Sequence, residues 1–461
     1  MIYNPEVLLI YPNYTSRSLH PPLGLAYIAG CLIQQGISVK ILDCSFFENY
    51  DEFSKTYQEY NPSIVGLSFL SSMTEGAFEM ARIIKQKNES TLVVAGGPHA
   101  TVFKEDCLKN GNIDAIVIGE GEISFPELVK TYKEAGLAGL KNVKSVFFKN
   151  KNEVFKNEIR PPLTEEELNG LAMPAYDLLA EEYFKSGRFS IITSRGCPFQ
   201  CHYCQPTQRM IFGLKYKFES AERVSKTIDY LIHEKGISYL IFEDDTFTVM
   251  EKRVREICDE IIKNNFHQKI RFRCHLRARP FPGEATLEKM RQAGFSNVSV
   301  GFESGNQEIL DLLGKGTTVE DNVKSGRALR KFGFKIMAYI MIGSPGETEA
   351  SLKDTFKMVK KIKPFEVRVS VTTPLPGTRL EEYCRQKGIL NEAISEKERY
   401  HYDSFEELPI KLALEKKFLI KYKNKIENYV RWRRIISKIM ENPFEFFNYG
   451  KIIFKKALWK K

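Results

Sequence analysis

Short apolar runs alternate with segments of helical period along most of the chain, and they do so in two separate series. The first series has runs at 7–11, 38–42, 64–69, 91–95 and 115–118. Buried parallel strands read as near-continuous apolar runs separated by helices, so this series predicts a doubly wound α/β sheet. Residues 144–158 predict a hairpin turning at 149–152, and Arg160-Pro161-Pro162 with the acidic stretch after it marks a linker. The second series runs at 190–193, 239–242, 270–275, 297–302, 335–342 and 366–371, six repeats that fit a partial (βα)6 TIM-type barrel. Farther on, Leu419, Tyr422, Ile426, Tyr429, Trp432, Ile436 and Met440 recur every three or four residues among lysines and arginines, the pattern of a cationic amphipathic helix. The expected divisions are 1–160, a linker at 161–188, the partial barrel at 189–390 and a mainly helical basic tail at 391–461.

Charge changes this picture only at the end of the chain. The net charge is +10, but residues 411–461 hold 15 Lys/Arg against 4 Asp/Glu, leaving 53 against 54 elsewhere. A near-neutral body gives no broad electrostatic footprint for nucleic acid, which is not an expected partner. Trp432 and Trp459, the two tryptophans, both lie in the tail. Such a segment either settles on an anionic lipid surface or packs its apolar stripe on the barrel, since amphipathicity serves both. Neither a signal peptide nor an apolar run of spanning length is evident, so the expected location is the cytoplasm, with peripheral membrane association through the tail on the first reading.

Ligands of both fold types bind beyond the carboxyl ends of the strands, and the strand-end loops carry the chemistry. Cys197, Cys201 and Cys204 place three thiols with Cys-x3-Cys-x2-Cys spacing directly after an apolar strand. Three clustered thiolates suit a 4Fe-4S cluster with one iron left unligated by protein. His202 makes a Cys3His zinc site the competing assignment, although it would share a tight turn with its neighbours and no second cysteine pair follows. Nine cysteines, six of them scattered singly, argue against a disulfide framework, and Cys31, Cys44, Cys107, Cys258, Cys274 and Cys384 read as packing residues.

The cysteine loop resembles the signature of the radical S-adenosylmethionine enzymes. The resemblance implies that the open iron chelates S-adenosylmethionine, that one electron from the cluster cleaves it to a 5′-deoxyadenosyl radical, and that Tyr203 lies against the adenine. It also implies an amino-group contact from the acidic end of the second barrel strand, Glu243-Asp244-Asp245, with Asp244 the preferred residue; a helix N-cap is the competing role for Asp245 or Thr246. Gly301-Phe302-Glu303-Ser304-Gly305 resembles the strand that contacts the ribose, which assigns Glu303 and Ser304 to S-adenosylmethionine. The segments 343–348 and 374–378 either belong to the site or are ordinary strand-to-helix turns. Arg271, Arg273, His275 and Arg277 alternate along one strand as an anion-facing row or as partners of nearby acids, and Tyr339 either lines the cavity or packs.

The first series resembles a cobalamin-binding Rossmann-like domain. Ser68 and Leu70 match its Ser-x-Leu element, and Gly96 and Gly97 match its paired glycines. The Asp-x-His-x-x-Gly segment that supplies a histidine to cobalt in many cobalamin proteins is absent, and His20 and His99 are the alternatives to a cobalt without protein imidazole. Together the resemblances imply a cobalamin-dependent radical S-adenosylmethionine enzyme. The expected reaction is methylation of an unactivated carbon, less often phosphorus, of a small or lipid-like molecule. The expected electron donor is a flavodoxin or ferredoxin. A ring-forming or oxidative reaction like that of the anaerobic porphyrin cyclase or the radical lipid-modifying enzymes is the alternative within enzymes, and a non-catalytic cobalamin sensor is the alternative outside them. A methylthiotransferase is disfavoured, because no second three-cysteine cluster is evident.

Overall fold

A computed structural model describes residues 4–12, 20–151, 153–399 and 404–441. Strands β1 (Val7–Tyr11), β2 (Val39–Asp43), β3 (Ile64–Ser68), β4 (Leu92–Gly96), β5 (Ala115–Val117), β6 (Val146–Asn150) and β7 (Glu153–Lys156) form one sheet in the order β2-β1-β3-β4-β5-β6-β7. The first five strands are parallel, as their apolar runs predict, and the hairpin β6–β7 adds antiparallel to the β5 edge. Alternate residues feed two cores: Leu8, Ile10, Val65 and Leu67 pack on one face, and Val7, Leu9, Ile64 and Val94 on the other. Burial on both faces is why these strands show no polar alternation in sequence.

Residues 161–188, expected as a linker, fold back as an ordered strap. Glu165–Gly170 is helical behind a Thr164/Glu167 capping box. The Ala175 amide then donates to the Ala26 carbonyl at 2.9 Å. Gly30, on the helix Leu23–Gln34, makes this approach attainable, because a Cβ there would overlap the Met173 carbonyl. Tyr176, Leu179, Tyr183 and Phe184 of the strap join the core of the second domain, and the Tyr183 hydroxyl donates to Asp43 in the first at 2.5 Å.

The second domain begins with β8 (Arg188–Ile191). A short antiparallel ribbon of β9 (Ser194–Arg195) and β10 (Lys217–Phe218) frames the cysteine loop. The chain continues through β11 (Tyr239–Phe242), β12 (Arg271–Arg277), β13 (Phe295–Glu303), β14 (Lys335–Ile342) and β15 (Glu366–Val371). β8 and β11 to β15 pair in parallel and in chain order, giving the curled half-barrel expected from six strand-helix repeats. Phe272, Cys274, Leu276, Val298 and Val300 turn outward into the core beneath the helices, which leaves the polar alternate positions facing the lumen.

The helix Lys416–Glu441 packs on this domain, burying Leu419, Tyr422, Ile426 and Val430 in its core. The packing reading of the tail therefore holds for the first half of the stripe. Trp432 and Ile436 remain 55% and 53% exposed, while the Met440 side chain and Trp459 lie outside the described residues. No helix among the described residues is long and apolar enough to cross a membrane. The six scattered cysteines are all buried, as expected of packing residues.

Candidate active site

Cys197, Cys201 and Cys204 line one cavity of about 200 Å3 at the carboxyl ends of the barrel strands, together with Tyr203, Asp245, His275, Arg277 and Glu303. His202 faces away from them: its Nδ1 sits 2.8 Å from the Leu312 carbonyl and its backbone amide donates to Leu313. The Cys3His zinc alternative fails on this geometry. Among the described residues no three His, Cys, Asp or Glu side chains converge on a single ion. Three thiols around a shared cavity, without a fourth ligand, fit a cluster in which each binds a different iron. Arg277 reinforces the fit, with Nη1 3.2 Å from Cys201 Sγ, Nη2 bonded to the Lys315 carbonyl, and its guanidinium 3.9 Å from the Phe199 ring centre. Burial raises the Cys197 thiol above its ordinary pKa, so metal binding there expels a proton.

Glu303 closes β13 with φ +59 and is buried. Its Oε1 accepts from the Tyr203 hydroxyl at 2.9 Å and pairs with Lys315 Nζ at 2.7 Å, while Lys315 also reaches Tyr203 at 3.1 Å. Burial and the Glu303 charge hold the Tyr203 hydroxyl well above the ordinary phenol pKa, which keeps it a donor. Ser304 points the other way and bonds Thr355 Oγ1 at 3.2 Å; the turn after β13 takes it out of the cavity. Asp244 likewise lies outside the cavity wall. It is 1% exposed, accepts from the Thr193 and Ser194 amides at 2.6 and 3.2 Å, and lies 3.5 Å from Arg253. In the turn that follows β11, Asp245 is the carboxylate that faces the cysteines. The predicted N-cap role of Asp245 or Thr246 is also corrected, because the next helix starts only at Glu251.

A second, largely apolar cavity of about 360 Å3 opens at the carboxyl ends of β1, β3 and β4. Ser68, Leu70, Gly96 and Gly97 line it, with Tyr11, Gly119 and Phe125. Gly97 has φ +83, and a Cβ there would stand 2.7 Å from Ser68 Oγ, so glycine is what keeps this wall open. Such a cradle fits the nucleotide tail of a cobalamin at the switch point between β1 and β3. His99 does not face it: the ring is stacked between Phe69 and Phe103 at 5.3 and 4.8 Å, with Nδ1 3.1 Å from Ser71 Oγ. His20 is exposed, and residues 13–19 of the same loop lie outside the described residues.

The barrel supplies the remaining wall of this second cavity through Ile192, Gln205, Gln208, Ile211 and Phe212. Gln205 and Gln208 line both cavities, so the helix Pro206–Phe212 that follows the third cysteine is their partition. An interdomain ion cluster fixes the partition: Arg195 meets Glu120 at 2.7 Å and Glu122 at 2.6 Å, and Lys217 meets Glu120 at 3.3 Å. The Tyr27 hydroxyl adds bonds to Glu219 at 2.9 Å and to the Ile192 carbonyl at 3.0 Å. Sequence reasoning missed Lys315, Arg195 and the two glutamines. Arg195 lies two residues before Cys197, but adjacency does not reveal that its partners come from another domain.

Of the two candidate turns, 343–348 is held by Glu347, which accepts from the Gly343 and Ser344 amides, and Thr348 caps the following helix. In 374–378, Thr378 is likewise an N-cap. Both have a structural role.

Residues 191–359 match the model of the Radical SAM superfamily, and residues 13–129 match that of the B12 binding domain. The chain is 33% identical over 396 residues to an uncharacterized methyltransferase of Pyrococcus horikoshii, spanning 84% of each chain. It is 27% identical over 394 residues to the anaerobic magnesium-protoporphyrin IX monomethyl ester cyclase of Cereibacter sphaeroides, spanning 83% of this chain and 64% of that one. Its fold is similar to that of the radical S-adenosylmethionine methyltransferase TsrM from Kitasatospora setae, solved with cobalamin and a 4Fe-4S cluster. The TM-score is 0.70 at 20% identity, over 82% of this chain and 78% of that one.

Proposed function

The chain belongs to the radical S-adenosylmethionine superfamily, in the group that carries a B12 binding domain, and we propose that it methylates an unactivated carbon, or less often a phosphorus, of a small or lipid-like molecule. Its cofactors are a 4Fe-4S cluster, S-adenosylmethionine and cobalamin. When bound, they supply hydrogen-atom abstraction and a transferable methyl group. Cys197, Cys201 and Cys204 hold the cluster. Tyr203, Glu303 and Asp245 take up S-adenosylmethionine, with Asp244 bracing the strand end behind them and Ser304 bracing the turn. Ser68, Leu70, Gly96 and Gly97 receive cobalamin.

The shared wall carries this reading: two adjoining cavities that have Gln205 and Gln208 in common suit a reaction that draws on two cofactors side by side. A low-potential flavodoxin or ferredoxin is the electron donor this scheme requires. The similarity to the cyclase supports a ring-forming or oxidative reaction as the second reading.

Anaerobic reconstitution tests the proposal. The protein should take up about four iron atoms and cobalamin, and should cleave S-adenosylmethionine to 5′-deoxyadenosine. Changing all three cysteines to alanine should abolish iron uptake and cleavage while leaving cobalamin bound. Retention of both iron and cleavage would sink the assignment. Methyl incorporation into product then separates methylation from cyclisation.

A further inference from the structure

The inner face of the half-barrel carries a polar cluster one layer below the cysteine cavity. His275, Ser299 and Tyr339 line that cavity. Arg273 lies two residues before His275 on β12, about 7 Å toward the barrel floor. Its Nε donates to Ser299 Oγ at 2.8 Å and its Nη2 lies 3.4 Å from the Tyr339 hydroxyl. Arg273 is half-buried, and no carboxylate among the described residues lies within ion-pair distance of it.

Apart from Asp245, which faces the cysteines, the lumen carboxylates are committed elsewhere. Glu243 holds His275 at 3.1 Å and Ser190 at 3.2 Å, Glu303 holds Lys315, and Glu366 holds Arg434 at 2.8 Å. A second cation, Arg188, lies 4.7 Å from the Tyr239 ring centre at the same end of the barrel. The part-exposed Arg273 guanidinium is bonded to the neutral Ser299 and Tyr339 and has no carboxylate among the described residues to offset its charge, and its fork matches a carboxylate or phosphate in two parallel bonds. Met337 and Met341 alternate with Tyr339 along β14 and so share its face of the strand.

We infer that Arg273, with Tyr339, binds an anionic group of the substrate, a carboxylate or a phosphate, which makes that substrate an organic acid with an apolar body rather than a neutral lipid. The inference rests on the cofactor reading above and adds the substrate class to it.

The test uses the reconstituted holoenzyme with the cluster reduced and with S-adenosylhomocysteine, which lacks the cleavable sulfonium, in place of S-adenosylmethionine. Inorganic phosphate, 13C-labelled acetate and neutral acetamide serve as probes, and the readout is the broadening of their NMR lines by the paramagnetic cluster. The wild type should broaden phosphate or acetate and leave acetamide sharp. Arg273→Met should reduce the broadening about tenfold, the loss expected for a charge-assisted hydrogen bond. Tyr339→Phe deletes only a hydroxyl and should reduce it by about threefold, which keeps the test decisive should Arg273→Met fail to take up iron. Sharp anion lines with wild-type holoenzyme, or equal broadening by wild type and the folded variants, overturn the inference. Failure of the wild type to bind iron or cobalamin is a different result, and it overturns the cofactor reading first.

Discussion

Replacing Arg195 by methionine should loosen the two domains from one another without emptying either core. The guanidinium is 7% exposed and meets Glu120 and Glu122, themselves 4% and 7% exposed, at 2.7 and 2.6 Å. Burial by itself would lower the Arg195 pKa, but Glu122 and Glu120 outweigh it and hold the group above its ordinary value, so it stays charged at any working pH. Breaking a buried pair by removing one partner costs about 3–5 kcal/mol. Lys217 still faces Glu120 at 3.3 Å, which puts the expected loss near the lower end. About 3 kcal/mol corresponds to a roughly 150-fold rise in the opening equilibrium. Native-state amide exchange should report that rise in the helix Leu23–Gln34 and across residues 161–188, with slow amides in β13 and β14 unchanged. Adding Glu122→Gln should recover part of the loss by removing the uncompensated charge. Exchange within about threefold of wild type at the interface would refute the reasoning, as would a double variant no better than Arg195→Met.

Four further outcomes are expected. Gly97→Val forces a β-branched side chain to φ +83 and toward Ser68, and it should weaken cobalamin retention by about tenfold or more while iron content stays at wild-type level, read from cobalamin absorbance and iron assay. Lys315→Met leaves Glu303 buried without its cation and should cost about 3 kcal/mol of stability and weaken S-adenosylmethionine binding by calorimetry; pairing it with Glu303→Gln should restore part of the stability but not the binding. Burial raises the Glu347 carboxyl above 4.5 against the hydrogen bonds of Ser351, Ser344 and Gly343. The folded state therefore holds that proton more tightly, and its stability falls as pH climbs from 4.5 through the raised value. Glu347→Gln has no such dependence, so urea unfolding should show wild-type stability falling relative to the variant as pH rises over that window, and a relative rise would contradict it. On the lipid reading of the tail, Trp432→Ser with Ile436→Ser alters exposed positions and should lower co-sedimentation with anionic vesicles while preserving thermal stability, and unchanged co-sedimentation removes that reading. Truncation before Lys416 is a poor substitute for that variant, because it strips Leu419, Tyr422, Ile426 and Val430 from the core.

Both sheets were legible in the sequence because parallel strands buried on one or both faces leave apolar runs such as Val7–Tyr11 and Lys335–Ile342. The cysteine loop was legible because metal ligands on one loop are close in sequence as well as in space. Side-chain direction at strand ends was not: Asp244 and Asp245 are indistinguishable until the turn after β11 decides which meets Thr193 and which meets the cavity. Lys315 lay beyond reach because its partnership with Glu303 depends on a turn and a short helix between them. His99, read as a loop residue or cobalt ligand, is instead held by Phe69 and Phe103, contacts that no local pattern announces.

The strap has a consequence for how this architecture can be taken apart. Met173 lies over Gly30 of the first domain while Tyr176 and Phe184 belong to the core of the second, so residues 161–188 are shared property. A chimera cut at Arg160-Pro161-Pro162 would bring a foreign helix under Met173, and any side chain at the position of Gly30 would push the strap, and with it the Tyr183 bond to Asp43, off the joint. A cut after Gly187 would instead leave the barrel without four of its own aromatic and aliphatic residues. The cobalamin and radical halves therefore do not behave as interchangeable cassettes. A swap between relatives should succeed only when the helix Leu23–Gln34, the strap and the barrel face beneath it are exchanged together.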